Sequence, residues 1–286
     1  MNSKYTRITK NAIAASLEDM ERRRLRAVIF DWAGTIIDYG SLAPLAAFRA
    51  VFAEAGVDIT AAEARGPMGT NKHEHLRQLL ANRRVAERWQ EVRGQAHVEA
   101  DLERLYRRFV AIQLALLPDY AEPIPGALAT IAALRQRGLQ IGSSTGYTRA
   151  MMAINVPAAE RRGLLVDTVV CADDVPRGRP APDMCHENAR RFGIEDTACV
   201  VKVDDTLSGI EAGRRAGMGT IGVAVSGNEV GLSQAAWSAL SAAERRGLRA
   251  AAYQRMRDAG ADFVVDDVRG IGSCIETIDA RLATAA

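Results

Sequence analysis

Four consecutive apolar residues, Ala27 to Phe30, are followed at once by Asp31 and then by Gly34 and Thr35. An uninterrupted apolar run of this length is typical of a strand in a parallel sheet that is covered on both faces. Ligands bind at the carboxyl ends of such strands, because loops and helix N-termini converge there. Asp31 therefore lies where a carboxylate can attack phosphorus or hold a metal. The alternative is an ordinary turn before the next element.

The composition is that of an ordinary folded protein and excludes several classes of function. Of the 286 residues, 48% are apolar and 25% are charged, which indicates a sizeable core and argues against a disordered or fibrous chain. The formal net charge of +2 is too small to indicate binding to nucleic acid or to a membrane. Because neither a membrane-spanning segment nor a signal peptide is evident, we expect a cytoplasmic location.

Hydrophobic periodicity divides the chain into regions of different character. Residues 41–117 have a helical pattern throughout, which predicts an all-helical cap domain inserted after the first strand. Residues 25–40 and 118–286 alternate strand-like and helical stretches, which predicts an α/β, Rossmann-like core: a parallel sheet with helices on both faces. Residues 1–24 are polar, and we interpret them as an N-terminal extension. The predicted strands are 27–30, 139–143, 168–172, 198–203, 220–225 and 262–265.

Two further groups of polar residues are candidates for binding a phosphoryl group. Thr145 and Gly146 lead from a predicted strand into a helix, where hydroxyl and backbone N–H groups can cradle phosphate, although threonine is also an ordinary N-cap. Arg179 lies in a loop ahead of another predicted helix. Its guanidinium can pair with phosphate oxygens, and a solvent-exposed loop is the alternative.

Asp204 and Asp205 end a third apolar strand run. Because the carboxyl ends of parallel strands meet at one edge of the sheet, these two carboxylates would repel each other and Asp31 unless a cation lies between them. Mg²⁺ prefers a few carboxylates together with water and substrate phosphate. We therefore predict a magnesium site at this edge, with a solvated turn as the alternative.

The order of Asp31, Thr145, Arg179 and the acidic pair resembles the haloacid dehalogenase superfamily over most of the chain. The resemblance implies that Asp31 attacks phosphorus to form an aspartyl-phosphate, a form of covalent catalysis. It also implies that Mg²⁺ is held by Asp31, the backbone carbonyl of Ala33 and Asp205. The metal would offset the repulsion between carboxylate and phosphate.

Ala33 departs from the pattern of most phosphatases in that superfamily, which carry an aspartate there to protonate an oxygen leaving group. Alanine cannot do this. Lys72 suggests another way to stabilise the leaving group. It shares an apolar helix face with Leu76 and Leu79 and lies in the first turn of the predicted helix. Desolvation and the helix dipole both favour its neutral amine, which can form a Schiff base. A lysine that snorkels from a helix end is the alternative.

Three segments together resemble the phosphonatase branch of the superfamily: Asp31-Trp-Ala33-Gly-Thr, Met68-Gly-x-x-Lys72-x-x-His75 and Thr145-Gly-Tyr147-Thr-Arg. In that branch a cap lysine condenses with the aldehyde of phosphonoacetaldehyde, so that the carbon bonded to phosphorus leaves as an enamine and needs no acid. The resemblance implies that Lys72 and Asp31 hydrolyse this carbon–phosphorus bond to give acetaldehyde and phosphate. The alternative is a Mg²⁺-dependent phosphatase of a small phosphomonoester.

The resemblance also implies phosphoryl binding by Thr145, Gly146 and Arg179, and shaping of the pocket by Met68 and Tyr147. His75, one helical turn after Lys72, is either a proton shuttle or an ordinary polar helix residue. A homodimer formed through the cap and a cap that closes over the core are further expectations. Two positions depart from some members, since Ser41 stands where they carry cysteine and Gly209 where they carry aspartate.

Overall fold

The centre of the protein is a parallel sheet of six short strands, in the order β3-β2-β1-β4-β5-β6. The computed structural model describes residues 24–284, so the predicted extension 1–24 lies outside the described residues apart from Arg24. The strands are β1 (Ala27–Phe30), β2 (Gln140–Thr145), β3 (Thr168–Cys171), β4 (Val200–Asp204), β5 (Gly219–Val223) and β6 (Phe263–Val265). The predicted Rossmann-like α/β fold is confirmed.

Helices cover both faces of this sheet. Those of the core are α6 (Ala127–Gln136), α7 (Arg149–Glu160), α8 (Asp183–Arg191), α9 (Leu207–Arg215), α10 (Gln234–Ala239), α11 (Ala242–Asp258) and α12 (Ile271–Thr284). Val28 and Phe30 pack in a cluster that includes residues of α6 and α12, whereas Ala27 and Ile29 pack with residues of α8 and α9. Both faces of β1 are therefore buried, which explains its unbroken apolar run.

Five helices lie between β1 and the first helix of the core, α6. They are α1 (Leu42–Glu54), α2 (Ala61–Arg65), α3 (Lys72–Ala81), α4 (Arg83–Arg93) and α5 (Glu99–Leu116). Residues 41–117, all of which are described, contain no strand, so the inserted helical segment is confirmed. We call residues 41–117 the cap and residues 25–40 and 118–286 the core. The domain boundaries themselves stay a prediction.

Strand β2 extends beyond the end predicted for it at residue 143. Ser144 and Thr145 continue the ladder by pairing with Val170 and Cys171 of β3. The apolar pattern stops at the two serines, but both are buried and the neighbouring strand satisfies their backbone groups. The extension carries Thr145 to the edge of the sheet at which Asp31 lies.

The helices of residues 24–284 are all too short or too polar to cross a membrane.

A buried carboxylate anchors the chain where it leaves the core for the cap. Asp38 accepts hydrogen bonds from the backbone N–H groups of Leu42 and Ala43, both at 2.9 Å, and so caps α1. Ser41, the residue directly before α1, makes no side-chain cap bond. Burial raises the pKa of Asp38 to about 6, although these hydrogen bonds oppose the shift. The carboxylate thus provides two acceptors that the helix start would otherwise lack.

We predict that Asp38→Ala lowers the free energy of unfolding by about 1 kcal/mol, because the first turn of α1 loses its cap. Urea denaturation followed by circular dichroism measures the change. Asp119→Ala is the matched control, since Asp119 is exposed. Equal stability of the two variants would show that Asp38 does not anchor α1.

Candidate active site

Three carboxylates meet where the strand order of the sheet reverses, between β1 and β4. Asp31 follows β1, Asp204 ends β4, and Asp205 comes next; all three are buried. One oxygen from each carboxylate lies within 4.8 Å of the others. This is the crevice where open α/β sheets bind their ligands. The prediction that these carboxylates come together is therefore confirmed.

Two buried cations partly neutralise the three carboxylates. Arg179 Nη2 donates to Asp31 Oδ1 at 2.7 Å and to the carbonyl oxygen of Ser144 at 2.6 Å, and it lies 3.3 Å from Asp204 Oδ2. Lys202 Nζ lies 2.7 Å from the same oxygen of Asp204. Although burial opposes them, these two cations hold the pKa of Asp204 below its ordinary value. Asp204 is thus paired with protein cations.

Among residues 24–284, no lysine or arginine forms an ion pair with Asp205. Burial raises its pKa well above the ordinary value, and the charges of Asp31 and Asp204 raise it further. Its oxygens accept hydrogen bonds from Thr35 Oγ1 at 3.0 Å and from the backbone N–H of Asn228 at 2.8 Å. Burial also raises the pKa of Asp31, with Arg179 opposing the shift. The repulsion that remains between Asp31 and Asp205 is what a divalent cation with oxygen ligands would relieve, so the site fits a hard metal ion.

Lys72 enters the site as the first residue of α3. The helix begins there because Asn71 Oδ1 caps it by accepting the backbone N–H of Glu74 at 2.8 Å. Lys72 Nζ lies 5.7 Å from the ring centroid of Phe48 and 5.1 Å from that of Tyr147. Burial lowers the pKa of Lys72 to about 8, although the charge of Asp31 opposes the shift. At neutral pH the free amine is therefore far more populated than in an ordinary lysine.

Cap and core together line a small cavity between Lys72 and Asp31. Its volume is about 20 Å³, which is room for about one water molecule. In this conformation the cavity is therefore too small for an organic substrate. The described residues lining the cavity are Asp31, Ala33, Ser41, Pro44, Met68, Gly69, Lys72, Thr145, Gly146, Tyr147, Arg179 and Thr206.

This lining brings together most of the residues predicted from the sequence. Thr145 Oγ1 accepts the backbone N–H of Tyr147 at 3.1 Å, which orders the turn after β2. Gly146 lies against the cap, since a Cβ there would be 2.8 Å from the carbonyl oxygen of Thr70. Met68 and Tyr147 form buried walls. The binding roles proposed for these residues stay predictions.

His75 does not line the cavity. Its ring is fully buried and stacks on Phe48 with the centroids 3.7 Å apart. His75 Nε2 lies 2.9 Å from the carbonyl oxygen of Ala64 and donates to it, whereas Nδ1 has no hydrogen-bond partner in the described part of the chain. Burial and the nearby charge of Lys72 lower the pKa of His75 well below the ordinary value, so the ring is neutral.

Some residues of the site are absent from the sequence-based prediction. Lys202 has a recognisable signal, because a lysine inside an apolar strand run needs a buried partner. Phe48 shares an apolar helical spacing with Leu45 and Phe52, but periodicity alone cannot show that it faces Lys72. The contact of Asn228 with Asp205 has no local signal, since it joins two loops that are distant in sequence.

Comparison with known proteins agrees with this geometry. The family model of haloacid dehalogenase-like hydrolases matches residues 25–217. The chain belongs to this family. It is therefore a hydrolase, and the predicted superfamily is confirmed.

Relatives of this hydrolase cover nearly its whole length. A phosphonoacetaldehyde hydrolase of Hahella chejuensis is 47% identical over 262 residues, which are 92% of this chain and 89% of that protein. One of Bacillus cereus is 43% identical over 256 residues, 90% of this chain and 97% of that protein. The crystal structure of a phosphonoacetaldehyde hydrolase like protein from Oleispira antarctica has a TM-score of 0.90 and 44% identity, covering 92% of this chain and 95% of that one.

Packing against Asp204 explains why residue 209 is a glycine in this hydrolase. A Cβ at position 209 would lie 2.1 Å from Asp204 Oδ2 and from Asp204 Cγ. The carboxylate of Asp204 thus occupies the space that a side chain at position 209 would need. A side chain at position 209 would push Asp204 away from Arg179 and Lys202.

We predict that Gly209→Ala lowers the free energy of unfolding by about 1–3 kcal/mol, because the new methyl group overpacks the Asp204 carboxylate. Gly247→Ala is the matched control. Gly247 also lies in a helix, α11, but a Cβ there would meet nothing within 4 Å. The control should therefore gain up to about 1 kcal/mol from its higher helix propensity. A similar gain for Gly209→Ala, measured by urea denaturation, would contradict the packing argument.

Proposed function

We propose that this hydrolase cleaves the carbon–phosphorus bond of phosphonoacetaldehyde and releases acetaldehyde and phosphate. The observation that carries the proposal is a buried lysine amine, Lys72, that lines one small cavity with the carboxylate of Asp31. Ala33, which lines the same cavity, offers no acid for an oxygen leaving group, and this argues against the phosphatase alternative. The relatives named phosphonoacetaldehyde hydrolase support the proposed substrate.

Lys72 supplies the electron sink. Its neutral amine adds to the substrate aldehyde. The adduct then loses water to form an imine, which is protonated on nitrogen. When the carbon–phosphorus bond breaks, its electron pair moves into the new carbon–carbon double bond and the imine becomes an enamine. Protonation of the enamine carbon and hydrolysis by water then release acetaldehyde and restore Lys72. Because the electrons flow towards nitrogen, a small residue at Ala33 is sufficient.

Asp31 is the nucleophile that accepts the phosphoryl group. Arg179 holds Asp31 Oδ1, whereas Asp31 Oδ2 has no hydrogen-bond donor among residues 24–284. Attack by this carboxylate on phosphorus gives an aspartyl-phosphate, and water then hydrolyses it to phosphate and restores Asp31. Thr145, Gly146 and Arg179 bind the oxygens of the transferred group.

The proposed cofactor is Mg²⁺, held by Asp31, the backbone carbonyl of Ala33 and Asp205. Its support is the cluster of buried carboxylates, of which only Asp204 is fully paired with protein cations. When bound, the ion supplies positive charge between the attacking carboxylate and the phosphonate oxygens.

His75 stays the candidate for proton transfer. Nδ1 is the ring nitrogen available for this role, because Nε2 donates a hydrogen bond to the carbonyl oxygen of Ala64.

We predict that borohydride reduction in the presence of phosphonoacetaldehyde or acetaldehyde leaves a covalent adduct on Lys72, because the imine is trapped as a secondary amine. Mass analysis of proteolytic peptides locates the adduct. Lys202 is an internal control, since it is equally buried but paired with Asp204. Labelling of neither lysine would exclude the imine, and equal labelling of both would show that imine formation is not specific to Lys72. Lys72→Arg keeps the charge and should abolish phosphate release.

We also predict that the rate of adduct formation rises with pH with a midpoint near 8. Only the deprotonated amine attacks the aldehyde, and burial lowers the pKa of Lys72 to about 8. The measurement is the initial rate of acetaldehyde trapping by cyanoborohydride as a function of pH. A midpoint close to the value of a free lysine, about 10.4, would mean that burial does not activate the amine.

A further inference from the structure

An arginine of the cap donates hydrogen bonds to a loop of the core beside the active site. Arg65, the last residue of α2, donates from Nη2 to the carbonyl oxygen of Gly231 at 2.8 Å and from Nη1 to Asn228 Oδ1 at 3.1 Å. Gly231 has a φ of +67°, and a Cβ there would lie 2.4 Å from Arg65 Nε. Glycine at position 231 therefore makes room for the guanidinium.

The same core loop holds the carboxylate of Asp205 at its other end. The backbone N–H of Asn228 donates to Asp205 Oδ2 at 2.8 Å. A Cβ at Gly227 would lie 2.1 Å from Asp205 Cβ, so this position also requires glycine. The N–H of Gly231 donates to the carbonyl oxygen of Gly227 at 2.9 Å and closes the loop. We call residues 227–231 the clasp loop, because it contacts Arg65 on one side and Asp205 on the other.

Arg65 is also coupled electrostatically to the site. Burial lowers the pKa of Arg65, and the charges of Asp205, Asp38 and Glu229 oppose that shift, so its guanidinium stays charged. Arg65 lies seven residues before Lys72 in the cap. The backbone between them makes a second contact with the core, where Ser208 Oγ donates to the carbonyl oxygen of Met68 at 3.1 Å.

We propose that Arg65 and Asn228 are positioning residues that couple closure of the cap to the orientation of Asp205, and thereby to metal affinity. When the cap opens to admit substrate, Arg65 leaves the clasp loop. The loop then loses the contacts that keep the Asn228 N–H against Asp205. The inference rests on the proposed function only in taking Asp205 as a Mg²⁺ ligand.

Two consequences follow from this coupling. The metal binds most tightly when Lys72 lies in the cavity with Asp31, so the charge needed for attack is complete only in the closed form. Because coupling between two equilibria is reciprocal, bound Mg²⁺ in turn favours closure of the cap.

The test is the Mg²⁺ dissociation constant of the full-length protein without substrate, measured by isothermal titration calorimetry. Arg65→Met removes the charge and the side-chain hydrogen bonds to Gly231, to Asn228 and to the carbonyl oxygen of Ser41, while keeping much of the side-chain length. We expect it to raise the dissociation constant about tenfold, as loss of a metal ligand's supporting partner commonly does. Arg65→Lys should recover part of the affinity, because an ammonium can still reach Gly231. Arg108→Met is the matched control, since Arg108 pairs with Glu54 within the cap.

Asn228→Ala provides an independent test, because it removes the amide that Arg65 holds but keeps the backbone N–H. It should weaken Mg²⁺ binding in the same direction, and saturating Mg²⁺ should restore phosphate release in both variants, which a folding defect would not allow. Wild-type affinity in Arg65→Met and Asn228→Ala would overturn the coupling alone. Absence of Mg²⁺ binding in the wild type would overturn both the coupling and the proposed metal site, whereas failure of imine trapping at Lys72 would overturn only the proposed reaction.

Discussion

The structure depends on the balance of charge at the carboxyl ends of β1 and β4. Three carboxylates are buried there, and two buried cations, Arg179 and Lys202, oppose them. The protein cations satisfy Asp204 and one oxygen of Asp31, and they leave Asp205 with a raised pKa. An unpaired buried charge is costly unless another group relieves it, and we propose that a metal ion and a phosphoryl group do so here. The same buried charges also restrict the packing around them, since the carboxylate of Asp204 requires glycine at position 209.

In the proposed reaction, the cap supplies the second reactive group. It brings Lys72 to a small cavity beside Asp31, where the amine lies over the aromatic rings of Phe48 and Tyr147. The same burial that lowers the pKa of the amine favours its neutral, nucleophilic form. In the proposed reaction, a carbon leaving group needs no acid at position 33. The proposal thus gives the missing acid and the buried amine one explanation, which is the kind of bond that is broken.

Local patterns in the sequence predict what depends on neighbouring residues. The apolar run before Asp31, the helical cap and the placement of Lys72 in the first turn of a helix all follow from periodicity and capping. Contacts between distant segments are not accessible in this way. The contacts of the clasp loop with Arg65 and with Asp205 have no local signal, because they join residues far apart in sequence. His75 shows the same limit, since its helical spacing places it near Lys72 but cannot reveal its stacking on Phe48.

The central claim is that the site breaks a carbon–phosphorus bond without a general acid. Its most direct test compares phosphate release from phosphonoacetaldehyde and from glycolaldehyde phosphate, which has the same aldehyde but a carbon–oxygen–phosphorus linkage. We expect kcat/KM for the ester to be at least about a hundredfold lower, because no acid protonates its oxygen leaving group. Comparable values of kcat/KM for the two substrates would contradict the account and would identify the protein as a phosphatase.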